Sequence, residues 1–78
     1  MAADTETLIA IIEKNSAEEI RARMCSYRGR PFVDFRIFVD SDAADERIPT
    51  KKGIAVRPDL LEAFRDLIDQ AIAARDAE

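Results

Sequence analysis

Nine side chains between positions 21 and 52 share one kind of chemistry. Arg21, Arg23, Arg28, Arg30, Arg36, Lys51 and Lys52 are long cations, and Tyr27 and Phe38 are flat rings. Cations neutralise phosphates, and rings stack on unpaired bases. Single strands offer both at once, because their bases are free to stack. Acid–base and nucleophilic chemistry has little to work with. The chain has no histidine, so the single cysteine, Cys25, has no imidazole to activate it and reads as a small strand residue. Asp34 reads as a partner for Arg36 or a turn amide. The acids Asp40, Asp42, Asp45 and Glu46 lack the spacing and the glycine of a calcium loop and read as a solvated loop. These absences argue against an enzyme and against any cofactor or metal. Arginines on an exposed sheet are also ordinary solvated residues, and lysines blunt sheet edges. The residues alone leave that alternative open.

The bulk numbers set the frame. Seventy-eight residues make one domain, too small for its core to leave much margin. Disulfides and metal are not available as staples, so a second copy of the chain is the expected support. The apolar run Leu8–Ile12 is far too short to cross a bilayer. The acidic start is wrong for a secretory signal, and with a free thiol it points to the cytoplasm, or to the nucleoid in a bacterium. Net charge is −4, which argues against nucleic acid at first sight. The distribution differs: residues 1–19 and 58–78 each carry −4, and residues 20–57 carry +4. A basic centre between acidic ends can present a local positive field.

The elements that must position these residues follow from periodicity. Residues 1–17 read as an N-terminal arm, in which Leu8, Ile9, Ile11 and Ile12 fit a short amphipathic helix or, nearly as well, a strand. Residues 18–76 read as the domain proper. "EEIRARMCSY" alternates, with Ile20, Ala22 and Met24 on one face and Arg21, Arg23, Cys25 and Tyr27 on the other. "RGRP" signals a turn. "FVDFRIFVD" alternates again, with Val33, Phe35, Ile37 and Val39 opposite Phe32, Asp34, Arg36 and Phe38. The two runs make an antiparallel hairpin. "RIPT" reads as a short edge strand, Gly53 as its break, and "IAV" as a last short strand. Pro58 opens a helix with Asp59 and Glu62 at its positive end. Leu60, Leu61, Phe64, Leu67, Ile68, Ala71 and Ile72 recur on one helical face. The expected fold class is α+β: a curved four-stranded antiparallel sheet, then a C-terminal helix against one face, in a dimer.

The ordered set Tyr27, Arg28, Gly29, Arg30, Asp34, Arg36, Pro49, Lys51, Lys52, Gly53 and Pro58 resembles the transcriptional coactivator family called positive cofactor four, in its short bacterial form. The likeness covers roughly residues 18–72. It implies a homodimer with strongly curved sheets and helices at the subunit interface. It implies binding of single-stranded or melted DNA across the sheets, with little sequence preference and a link to transcription. The family's DNA-contact positions fall on Tyr27, Arg28, Arg30, Arg36 and Lys52, with Lys51 and Arg21 or Arg23 as neighbours. Lys52 is favoured over Lys51 as a contact. Where the family often carries a tryptophan for stacking, this chain has Val39 beside Phe38, which implies weaker or shifted stacking.

Two functions compete. One is a homodimeric module for single-stranded DNA, or RNA, acting as a transcriptional coactivator or regulator with the transcription machinery as a further partner and no membrane involved. The alternative is a protein-interaction module without nucleic-acid binding. In it, the apolar helix and the Leu8–Ile12 arm recruit a partner and the arginines meet its acids.

Overall fold

A computed structural model of the chain describes residues 4–43 and 45–77. Four strands, β1 (Thr5–Glu13), β2 (Glu18–Tyr27), β3 (Arg30–Val39) and β4 (Ile48–Val56), form one open antiparallel sheet in sequence order. A single 3-10 turn, Pro58–Leu60, leads into helix α1 (Leu61–Asp76). The α+β class and the strand-then-helix order agree with the sequence reading.

The strands are assembled differently from that reading. Positions 5–13, expected in an arm and read first as a helix, are the edge strand β1. Residues 1–3 of that arm lie outside the described residues. β1 pairs with β2 from Thr5 opposite Ser26 to Glu13 opposite Glu19. The pairing satisfies an edge of β2 that would otherwise stay open. Asn15 closes the connecting turn by accepting the backbone N–H groups of Ala17 and Glu18, each at 2.9 Å.

"RIPT" and "IAV" are not two strands but one. β4 runs through Gly53 with a bulge: Pro49 stands opposite Phe38 and Gly53 opposite Arg36, so Thr50, Lys51 and Lys52 share the space across from Ile37. Thr50 pins the bulge, its hydroxyl donating to the Ile37 carbonyl at 2.8 Å and accepting the Lys52 N–H at 3.2 Å. Gly53 is needed for close approach rather than for a turn. A Cβ there would lie 2.5 Å from the Phe35 carbonyl oxygen and 3.0 Å from the Arg36 Cα.

The register sorts the sheet into two faces. Ile20, Ala22 and Met24 lie beside Ile37, Phe35 and Val33, as the alternation requires. α1 meets this apolar face through Phe64 on Phe35, ring centres 5.1 Å apart. The expected packing of the helix along the face is not found within one chain: no residue of α1 is buried, and Leu67 stays 58% exposed. The buried apolar side chains are Cys25, Val33, Phe38 and Val56. Two of these, Cys25 and Phe38, belong to the face that carries the arginines.

Candidate nucleic-acid interface

The β2–β3 hairpin turns through two residues with positive φ, Arg28 at 52° and Gly29 at 76°. This is the backbone signature of a type I′ turn, whose twist matches that of the flanking strands. Glycine takes the second place without steric cost. Arg28 takes the first, and its N–H donates to the Asp4 carboxylate at 2.6 Å. The turn thrusts Arg28 and Arg30 out at the end of the sheet, both exposed. The Arg28 guanidinium stands 5.3 Å from the centre of the Tyr27 ring.

A groove of about 1000 Å³ runs over the arginine-bearing face, with Tyr27, Arg30, Phe32 and Lys51 among its lining and Arg23 and Arg36 on its floor. The floor arginines are tied down. Asp34, only 3% exposed, accepts Arg23 Nη2 at 2.6 Å, Arg36 Nη2 at 2.9 Å and Arg36 Nε at 3.0 Å. Arg23 also reaches Glu6 on β1 at 3.0 Å, and Arg36 donates to the Thr50 carbonyl on β4 at 2.8 Å. One polar ladder therefore crosses all four strands. Burial pushes the Asp34 carboxyl up, but the hydrogen bonds from Arg36 and Arg23 more than offset it and hold it below its ordinary range. Burial pushes the Cys25 thiol up, so Cys25 is an inert strand residue beside the groove.

The expected contact residues thus fall into three groups. Arg28, Arg30, Lys51 and Lys52 are exposed and make no ion pair among the described residues. Arg21, Arg23 and Arg36 are half-buried and paired with Glu19, Asp34 and Glu6. Phe38 is 5% exposed, with Arg21 and Arg23 over its ring at 4.2 and 5.2 Å, so it packs the sheet rather than standing open to a base.

The two lysines are placed the other way round from expectation. Lys51 lines the groove, and Lys52 borders a shallow depression on the apolar face with Ile20, Phe35 and Ile54. Alternation along β4 carries this placement: Lys51 lies between Pro49 and Gly53 on the Phe38 and Arg36 face, and Lys52 shares the opposite face with Ile54, because a bulge of two extra residues keeps the parity of the strand.

Several groove residues, Glu6 among them, were missed in the sequence. Phe32 lies on the groove wall, a placement that its alternation with Asp34 and Arg36 already carried. Arg57 lines the groove from the start of the 3-10 turn, and Thr50 holds the Arg36 fork. Arg47, counted only for its charge, bonds Glu19 at 2.6 Å, Asp40 at 2.9 Å and the Ser16 carbonyl at 2.9 Å. It clamps the β3–β4 loop to the start of β2. Among the described residues, no three Cys, Asp or Glu side chains gather closely enough to hold a metal ion. No described helix is long and apolar enough to cross a membrane.

Comparison with known proteins gives a consistent answer. Two crystal forms of BPSL1147, a PC4 homolog from Burkholderia pseudomallei K96243, share this fold. The tetragonal form is 35% identical, with a TM-score of 0.70, over 91% of this chain and 98% of that one. The orthorhombic form is 33% identical, with a TM-score of 0.73, over 96% of each chain. No curated protein matches. The family described as Transcriptional Coactivator p15 (PC4) matches residues 14–67, which hold the hairpin, the bulged strand, the groove floor and the first turns of the helix. The chain belongs to the PC4 family of transcriptional coactivators.

Proposed function

We propose that this protein binds single-stranded or melted DNA along the groove, with little sequence preference, and that it does so as a homodimer acting in transcription. The observation that carries the reading is the groove rim. Arg30 and Lys51 line the groove beside the rings of Tyr27 and Phe32, Arg28 stands over the Tyr27 ring at the hairpin end, and none of these three cations makes an ion pair among the described residues. Free cations supply affinity without sequence information, and rings stack on any base. The role is binding, without catalysis or cofactor, and its setting is the cytoplasm or nucleoid.

The dimer part rests on the uncovered apolar surface. Leu67, Ile68 and Ile72 on α1, and Met24 and Ile54 on the sheet, are each at least 42% exposed in one chain. Exposed apolar surface of this extent marks an association site, and an 8.8 kDa domain gains the most from covering it with its own copy. Sedimentation at micromolar concentration tests this part, and a species of 8.8 kDa alone would refute it.

Titration of a labelled oligothymidine at two salt concentrations tests the binding part. Binding that weakens as salt rises supports the reading. No binding at low salt would favour the alternative, a protein-interaction module built on the exposed Leu8, Ile9, Ile11 and Ile12 of β1.

A further inference from the structure

The groove floor joins two arginines through one carboxylate. Asp34 takes three hydrogen bonds from Arg23 and Arg36, while the remaining Nη1 groups go to Glu6 and to the Thr50 carbonyl. The charges of Glu6, Arg23, Asp34 and Arg36 cancel within this set. The fork of Arg36 is held on all three nitrogens. A phosphate reaching the floor has to displace carboxylates already bonded in a half-buried setting. At the rim, Arg30 and Lys51, with Arg28 over Tyr27 at the hairpin end, pose no such competition. A guanidinium bonded through its edges still offers its flat face, and that face stacks on a base.

We propose that Asp34, with Glu6, is a positioning residue that pins the Arg23 and Arg36 forks to the groove floor and cancels their charge, so that phosphates of a bound strand are held at the rim while the floor meets bases. This rests on the proposed single-strand binding and deepens it. The two floor arginines then add little to counterion release, and the acids keep binding weaker than the arginine count implies.

The test is an oligothymidine titration of the full chain across roughly 50–200 mM salt. Wild type, Glu6→Gln and Asp34→Asn are compared, each checked for folding by thermal melt. Freeing a floor arginine should tighten binding about three- to tenfold at low salt and steepen the log–log salt slope by about 0.7, the share of one further phosphate on a single strand. A role confined to stability would lower the melting temperature and leave both readings of the folded protein at wild-type values. Glu6 is an exposed partner on the edge strand, so Glu6→Gln carries the test if Asp34→Asn does not fold. Unchanged or shallower slopes in the folded variants overturn the proposal. A wild-type protein that binds no oligothymidine at any salt overturns single-strand binding and this proposal together. A wild type that binds, with variants that match it, overturns this proposal alone.

Discussion

The guanidinium of Arg21 lies 4.2 Å from the centre of the Phe38 ring and covers it, with Glu19 holding the Arg21 Nε from the side. A cation over a ring is attracted by the ring's negative face, more strongly where water is excluded. This pair takes two expected DNA contacts and turns them inward, to the packing of the sheet. The rings that line the groove are then Tyr27 and Phe32, at its hairpin end.

Tyr27 and Phe38 should therefore separate cleanly. Tyr27→Ala should weaken single-strand binding by roughly 1–3 kcal/mol with little change in salt slope, the effect of losing a stack and no charge. Phe38→Leu should cost about 1–3 kcal/mol of folding stability, through lost volume and a lost cation–ring contact, and leave binding of the folded fraction nearly intact. Thermal melts and oligonucleotide titrations of both variants check this. A Phe38→Leu protein of wild-type stability that binds poorly would restore Phe38 to the interface.

The adjacent lysines should differ in effect although they are neighbours. Lys51 lines the groove and Lys52 borders the opposite face. Lys51→Ala should make the salt slope shallower by about 0.7, the share of one phosphate on a single strand. Lys52→Ala should change it less. The comparison needs only the two slopes, measured on the same oligonucleotide.

Gly53 should tolerate no side chain. A Cβ there meets the Phe35 carbonyl oxygen at 2.5 Å, a backbone atom that cannot rotate away. Gly53→Ala should destabilise the fold by about 1–3 kcal/mol, in line with other overpacked sites. It should also disturb the Arg36 fork, whose Cζ lies 3.0 Å from the same point. Urea unfolding read by circular dichroism measures the loss, and wild-type stability would contradict the close approach.

Acid should undo the arginine-bearing face first. The Glu19 carboxyl is held below its ordinary range by its hydrogen bond from Arg21. For Asp34 the bonds from Arg36 and Arg23 outweigh the effect of burial, with the same result. Groups depressed in the folded state stabilise fully above their unfolded pKa values, and that contribution is lost as pH falls through the lower folded ones. The melting temperature should hold from neutral pH to about pH 5 and drop below about pH 4, where unfolded carboxylates take up protons. Asp34→Asn should start from a lower melting temperature and show a flatter acid limb. An identical acid limb in the variant would remove Asp34 from this account.

Period-two alternation in residues 18–39 was enough to place β2 and β3 and to assign their faces, because side chains on an extended strand have no other choice. "YRGR" carried the hairpin, because only a glycine in the second turn position meets the positive φ without cost. Pro58 and the recurring leucines carried the helix. Local patterning did not extend to β1, where Leu8–Ile12 suits a helix as well as a strand and only the open edge of β2 decides. It did not extend to joining "RIPT" and "IAV" into one strand, because the bulge at Thr50–Lys52 exists only against β3, although alternation back from Ile54 already put Lys51, not Lys52, on the groove face. Composition named the cations, but which of them remain available was decided by tertiary structure alone. Ion pairing depends on register: Arg23 meets Asp34 because β2 and β3 pair at that point, and Glu6 and Thr50 arrive from strands on either side. An arginine's charge is a property of its residue type, whereas its freedom to meet a phosphate depends on which carboxylates the fold places within bonding distance.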